Sequence, residues 1–193
     1  MGRRVRDVVV FNIPKWPLQV HSASAHRTAM RMLSFLSRLY DNGTIYMRLA
    51  LASGFFSAVT DRLGIWGPYG TPNVAWGDMQ HFMTYAAKLN PWFPHAMIAF
   101  VGAVVTVIES ALAISLLIGF QTRRAAQVSG WLVLAFGIGM SVGTGFKSAL
   151  NASVFAFSGG AWLLARAQEY PVSVDAVKSL NNGRQYGNRA NDA

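Results

Sequence analysis

Charge is nearly absent from the middle of this chain, and nothing else in the sequence constrains the fold as much. From Arg48 to Leu164, both included, only nine residues are Asp, Glu, Lys or Arg. Over all 193 residues the charged share is 13%, against about 25% for a soluble domain. That excludes a domain with a polar shell around this stretch. The 52% hydrophobic content also excludes a disordered chain. Helices that pass through lipid remain as the expectation.

A spanning helix needs about 20 mostly apolar residues. Four runs qualify: 44–63, 94–120, 125–146 and 148–165. The second contains one charge, Glu109, and the last two contain none, Lys147 falling in the gap between them. At ~1.5 Å per residue each run is roughly 27–40 Å long, enough for a hydrocarbon core of about 30 Å. The runs do not alternate as membrane β-strands would. The fold expected is all-α, an integral membrane four-helix bundle. Small residues recur every fourth position (Ala50, Gly54 and Ala58; Ala111, Ser115 and Gly119; Ala135, Gly139 and Gly143; Ala152, Ala156 and Gly160), a spacing that lets helix backbones approach closely in lipid.

Basic residues set the expected orientation. From Arg3 to Arg48 eight basic residues face two acidic ones, Arg123-Arg124 lies between the second and third runs, and Arg166, Lys178, Arg184 and Arg189 follow the fourth. The positive-inside rule then places both termini in the cytoplasm of a bacterial inner membrane and the segment from about Gly64 to Phe93 outside. No apolar signal core follows the basic start, so residues 1–43 read as a retained cytoplasmic arm. Within the arm, Met30, Leu33, Leu36 and Tyr40 lie opposite Arg27, Arg31 and Arg38, an amphipathic helix that either lies on the anionic inner leaflet or docks on a partner. Residues 44–166 form the spanning domain and 167–193 a polar cytoplasmic tail. The net charge of +9 does not indicate nucleic acid, because the basic residues flank apolar runs rather than forming a stripe with stacking aromatics. Outside, Trp76, Met79, Phe82, Met83, Ala86 and Leu89 keep a helical period that Asn90-Pro91 ends, which predicts a short helix capping the bundle.

Several motifs together resemble the DoxX family of small four-span membrane proteins. They are Arg48 with Gly54-Phe55-Phe56-Ser57 and Asp61-Arg62-Leu63-Gly64; Glu109; the turn Gly119-Phe120-Gln121-Thr122-Arg123-Arg124-Ala125-Ala126; and Asn151-Ala152-Ser153-Val154-Phe155. Trp66-Gly67-Pro68, Ala75-Trp76-Gly77-Asp78 and Lys88-Leu89-Asn90 are similar to one branch of it. The resemblance covers about residues 44–166. It implies a four-helix membrane fold and a tie to membrane redox metabolism, in one branch as a subunit of a thiosulfate:quinone oxidoreductase. A quinone-proximal role is therefore one expectation. A non-catalytic accessory subunit that grips neighbours through the Arg3–Arg48 arm and the tail is another. A small proton-coupled transporter is a third, although four spans without inverted repeats fit it less well.

Glu109 is the most informative single residue. A carboxyl group in mid-span is costly and by default marks function. It is expected to be neutral near pH 7, either moving protons, as quinone reduction requires, or tying helices together through hydroxyls such as Thr106, Ser57 or Ser141. Asp61 and Arg62 end the first span, either as a local ion pair or as a site for an anion or a quinone head group. Lys147 and Asn151 flank the last turn and are expected either to close that pocket from the other side or to serve as an interfacial lysine and a helix cap. Asp78 and His81, three apart on the outer helix, make a poor metal site. Zero cysteines exclude thiolate chemistry and iron–sulfur ligation, and no histidine lies deeper in a span than His95, at an edge, to hold a haem. The chain alone is expected to bind no haem, flavin or metal, and not to move electrons by itself.

Overall fold

The computed structural model describes residues 23–181. It has no strand among them and is built of α1 (Ala23–Arg62), α2 (Met79–Leu89), α3 (His95–Ile118), α4 (Thr122–Gly143), α5 (Phe146–Asn151) and α6 (Val154–Ala165), with a further helical stretch at 174–181. The chain divides into two compact units, 1–37 and 38–193. In the first, the described part is the start of α1, where Met30, Met32, Leu33 and Leu36 are exposed. The remainder of the basic arm, and Arg184 and Arg189 of the tail, lie outside the described residues.

Two expectations about element boundaries are corrected. An arm helix at 24–40 and a span at 44–63 were expected as separate pieces, yet α1 runs unbroken for 40 residues. No proline interrupts it, and the Thr44 hydroxyl donates back to the Asp41 carbonyl at 2.8 Å within the helix. A Cβ at Gly43 would meet nothing within 4 Å, so the glycine costs only the ~1 kcal/mol of an exposed helical glycine. The fourth run, 148–165, is not one helix. It breaks at Ala152-Ser153, where Ser153 is left-handed (φ 56°), leaving α6 only 12 residues long. Two helical stretches, Ala96–Ile118 and Thr122–Gly143, are long and apolar enough to cross a membrane.

The core of the second unit is drawn from four helices: Leu51, Ala52 and Phe55 of α1; Leu112, Ala113 and Leu116 of α3; Ala125, Ala126 and Val133 of α4; Ala161, Leu164 and Ala165 of α6. Its centre is alanine-rich, which lets the backbones close in, and the Ser158 hydroxyl bridges α6 to the Gly130 carbonyl of α4 at 2.8 Å. Large apolar side chains remain exposed on the outward faces, among them Phe100, Val107 and Ile114 of α3 and Trp131, Ile138 and Val142 of α4.

The turn between α3 and α4 is tied down from both sides. The buried Arg48 guanidinium donates to the Leu116 and Leu117 carbonyls at the end of α3 (3.1 and 3.2 Å) and to the Pro171 and Val172 carbonyls (2.9 and 3.1 Å). Reciprocally, the Asp175 carboxylate accepts from the amides of Gln121 (2.9 Å) and Thr122 (2.7 Å), which no residue of α4 can satisfy. The Asp175 amide donates to Gly119 at 3.0 Å. Gly119 is required here: its φ is +71°, and a Cβ would run into Ser173.

Candidate functional site

Asp61 and Arg62 close α1, and helical geometry points consecutive side chains about 100° apart. The structure uses that divergence to send them to different tasks. Both are buried. Asp61 turns to the loop that precedes α2, accepting from the backbone amides of Ala75 (2.9 Å), Trp76 (3.3 Å) and Gly77 (3.0 Å). This holds the loop in a conformation that needs Gly77 at φ +68°. The two residues form no ion pair with each other among the described residues, so the expected local pair is corrected.

Arg62 turns inward to Glu109. Its Nη1 donates to Glu109 Oε2 and, at 3.0 Å, to Thr106 Oγ1, which passes its own proton to the Gly102 carbonyl at 2.8 Å. Residues 102, 106 and 109 share one face of α3 by their spacing. The Arg62 and Glu109 side chains are each 2% exposed. The guanidinium also lies 3.7 Å from the centre of the Phe82 ring and 5.2 Å from Trp76. Thus the loop that Asp61 anchors and the helix that follows it supply an aromatic cover over the charge. Arg62 Nε is buried and has no hydrogen-bond partner among the described residues. The hydroxyls expected to hold Glu109 do not: Ser57 is exposed, Ser141 donates to Gly137, and Thr106 serves Arg62 instead.

Beside the pair lies a cavity of about 410 Å³. Arg62 and Glu109 are its charged groups, and its wall is otherwise mainly apolar and aromatic, including Trp76, Phe82, Tyr85 and Phe136. The size and the sparse polar groups fit a small-molecule site. Lys147 and Asn151 are exposed and do not line it; the neighbouring Ala152 and Val154, on either side of the α5–α6 break, do. The expectation that Lys147 and Asn151 close the pocket is therefore corrected. Asp78 caps α2, accepting from the His81 amide and facing its ring Nδ1, both at 2.8 Å, while Tyr69 stacks on that ring. No group of three or more metal-ligating side chains occurs among the described residues.

The sequence singled out Arg62 and Glu109 separately, without a signal that they meet across 47 positions. The aromatic cover was visible only as the helical period of Trp76 and Phe82. No protein-family model matches the chain, and no curated protein or solved structure matches it.

Chemically, a guanidinium neutralised by a carboxylate is a polar anchor of no net charge in an apolar chamber. It has a donor to spare in Nε, and its position is fixed by a hydrogen bond to Thr106 and two aromatic rings.

Proposed function

We propose that the chain is a DoxX-like multi-pass protein of a bacterial cytoplasmic membrane, both termini cytoplasmic, that serves a membrane redox system as a quinone-proximal subunit. In this reading the cavity receives the quinone ring. Arg62 donates to one ring carbonyl, Glu109 balances the guanidinium and can exchange a proton with the bound head group, and Phe82 and Trp76 offer π-faces to the ring. A bound quinone would supply the redox chemistry. The chain's own residues bind it, orient it and keep water out.

The observation that carries the proposal is that Arg62, which lines this apolar chamber, has a buried Nε with no hydrogen-bond partner among the described residues. A buried donor without an acceptor is uncommon in a finished structure and is explained by an acceptor that arrives with a ligand. The two long apolar helices and the exposed Phe100, Val107, Trp131 and Ile138 support the membrane setting. The test is equilibrium dialysis of a short-chain 1,4-benzoquinone against the protein in mild detergent, with empty micelles as blank. Saturable binding is expected, weakened at least ten-fold in Arg62→Met. Binding no greater than to empty micelles refutes the reading. The accessory-subunit reading rests on the exposed Met30, Met32, Leu33 and Leu36. A stable partner that co-purifies from native membranes through this stretch would put it ahead.

A further inference from the structure

The cavity reaches a second set of free donors. Ala152 and Val154 line it, and between them the chain switches into the left-handed region at Ser153 before α6 begins. No side chain caps α6. Among the described residues, its first three amides, on Val154, Phe155 and Ala156, donate no hydrogen bond. An uncapped helix start carries partial positive charge and amides pointing away from the helix. Broken helices inside membranes are tolerated where the irregular backbone borders a cavity, and there they serve as ligand contacts. A helix start alone would be weak ground. Here the residues on either side of the break line the same chamber as Arg62, a side chain 2% exposed whose Nε lacks a partner among the described residues.

We infer that the α5–α6 break is the second pole of this site, so that the chamber takes a neutral, flat, apolar molecule with an acceptor oxygen at each end rather than an anion. The inference rests on the reading of the cavity as a ligand site. One acceptor meets Arg62 Nε and the other meets the amides at the start of α6, with the apolar body against Phe82, Tyr85 and Phe136. Neutrality follows from the charge already present. Glu109 cancels Arg62, so a carboxylate or phosphate would bring an unbalanced charge into an apolar enclosure, which is unfavourable. Acceptor oxygens on a neutral ring satisfy both poles without that penalty.

The experiment adds one probe and one variant to the dialysis above. The probes are a short-chain 1,4-benzoquinone, a ring-matched compound with a single carbonyl, and laurate. The variant is Ala152→Asp, which places a carboxylate where it can occupy the α6 amides. Where Ala152→Asp does not fold, Ala152→Asn blocks the same amides without a charge. The dione is expected to bind the wild type at least ten-fold more tightly than the single-carbonyl probe. It should lose at least ten-fold in the variant, while the single-carbonyl probe is unchanged. Laurate should bind most weakly. Equal dione binding by wild type and variant overturns the second pole and leaves the cavity reading standing. Laurate binding more tightly than the dione overturns the neutral-ligand inference. Failure of every probe on the wild type overturns both.

Discussion

Replacing Glu109 by leucine removes the only carboxylate that, among the described residues, pairs with Arg62, whose side chain is 2% exposed. Arg62 would keep the Thr106 hydroxyl and its two aromatic neighbours, but no counter-charge. Orphaning one member of a buried pair costs about 3–5 kcal/mol, well above the 0.6–2 kcal/mol typical of a hydrogen bond between membrane helices. A guanidinium cannot relieve the strain by shedding its proton, whereas an orphaned carboxyl can take one up. Arg62→Met should therefore be the milder single change. Removing both, as Arg62→Met with Glu109→Leu, restores a balanced apolar interior and should return to within about 1 kcal/mol of the wild type. The coupling energy of the cycle should then be at least about 2 kcal/mol in magnitude, larger by whatever Arg62→Met costs. Unfolding of the four proteins in one detergent, followed by far-ultraviolet circular dichroism, measures it. A cost below about 1 kcal/mol for Glu109→Leu, or four additive values, would refute the reading of these residues as a coupled pair.

Three further outcomes are expected. Burial raises the Asp175 carboxyl, but the amides of Thr122 and Gln121, with Lys178 nearby, more than reverse this and hold it below the usual carboxylate range. Its contribution is thus complete above about pH 4, the unfolded value, and is lost as pH falls through the depressed folded one. Wild type should lose more stability than Asp175→Asn on acidification below pH 4, and parallel pH–stability curves would count against the cap. Gly143→Ala should destabilise by about 1–3 kcal/mol, because a Cβ there would sit 2.6 Å from the Lys88 carbonyl oxygen of α2. Gly139→Ala, whose Cβ would find Leu89 at 3.8 Å, should be neutral or slightly stabilising in the same melts. Finally, a cysteine introduced at Asn73 should react with an impermeant thiol reagent from outside the cell and one at Gln121 should not; the reverse pattern would sink the proposed orientation.

The helices at 94–120 and 125–146 were legible because each is long, apolar and bounded by Pro94, Gly119 or Gly145, features that act over a few residues. The capping helix was legible from the period of Trp76 to Leu89. The break at Ala152-Ser153 was not, since no proline or glycine marks it and Ala, Ser and Val at 152–154 read as ordinary helix. Asp61 and Arg62 were flagged as adjacent opposite charges, and adjacency favoured a local pair. Burial of both decided otherwise: each needed more partners than the other could offer, and found them in the Ala75–Gly77 amides and in Glu109. Arg48 entered the sequence reading as a basic residue of the arm and through the family resemblance, without its contacts, because its carbonyl acceptors lie 68 to 124 positions away.

The double tie at the α3–α4 turn also sets an order of events during synthesis. The amides of Gln121 and Thr122 leave the ribosome 54 and 53 residues before the carboxylate that accepts them. At about 5–20 residues per second that is a wait of roughly 3–11 s. Arg48 waits longer, 123 residues, for the Pro171 carbonyl. Until then both ends of the turn hold open hydrogen-bonding groups at a helix junction that already exists. The last step of assembly is therefore the docking of residues 171–175, and a chain that stops short of Asp175 would carry every core residue and still leave this junction unlocked.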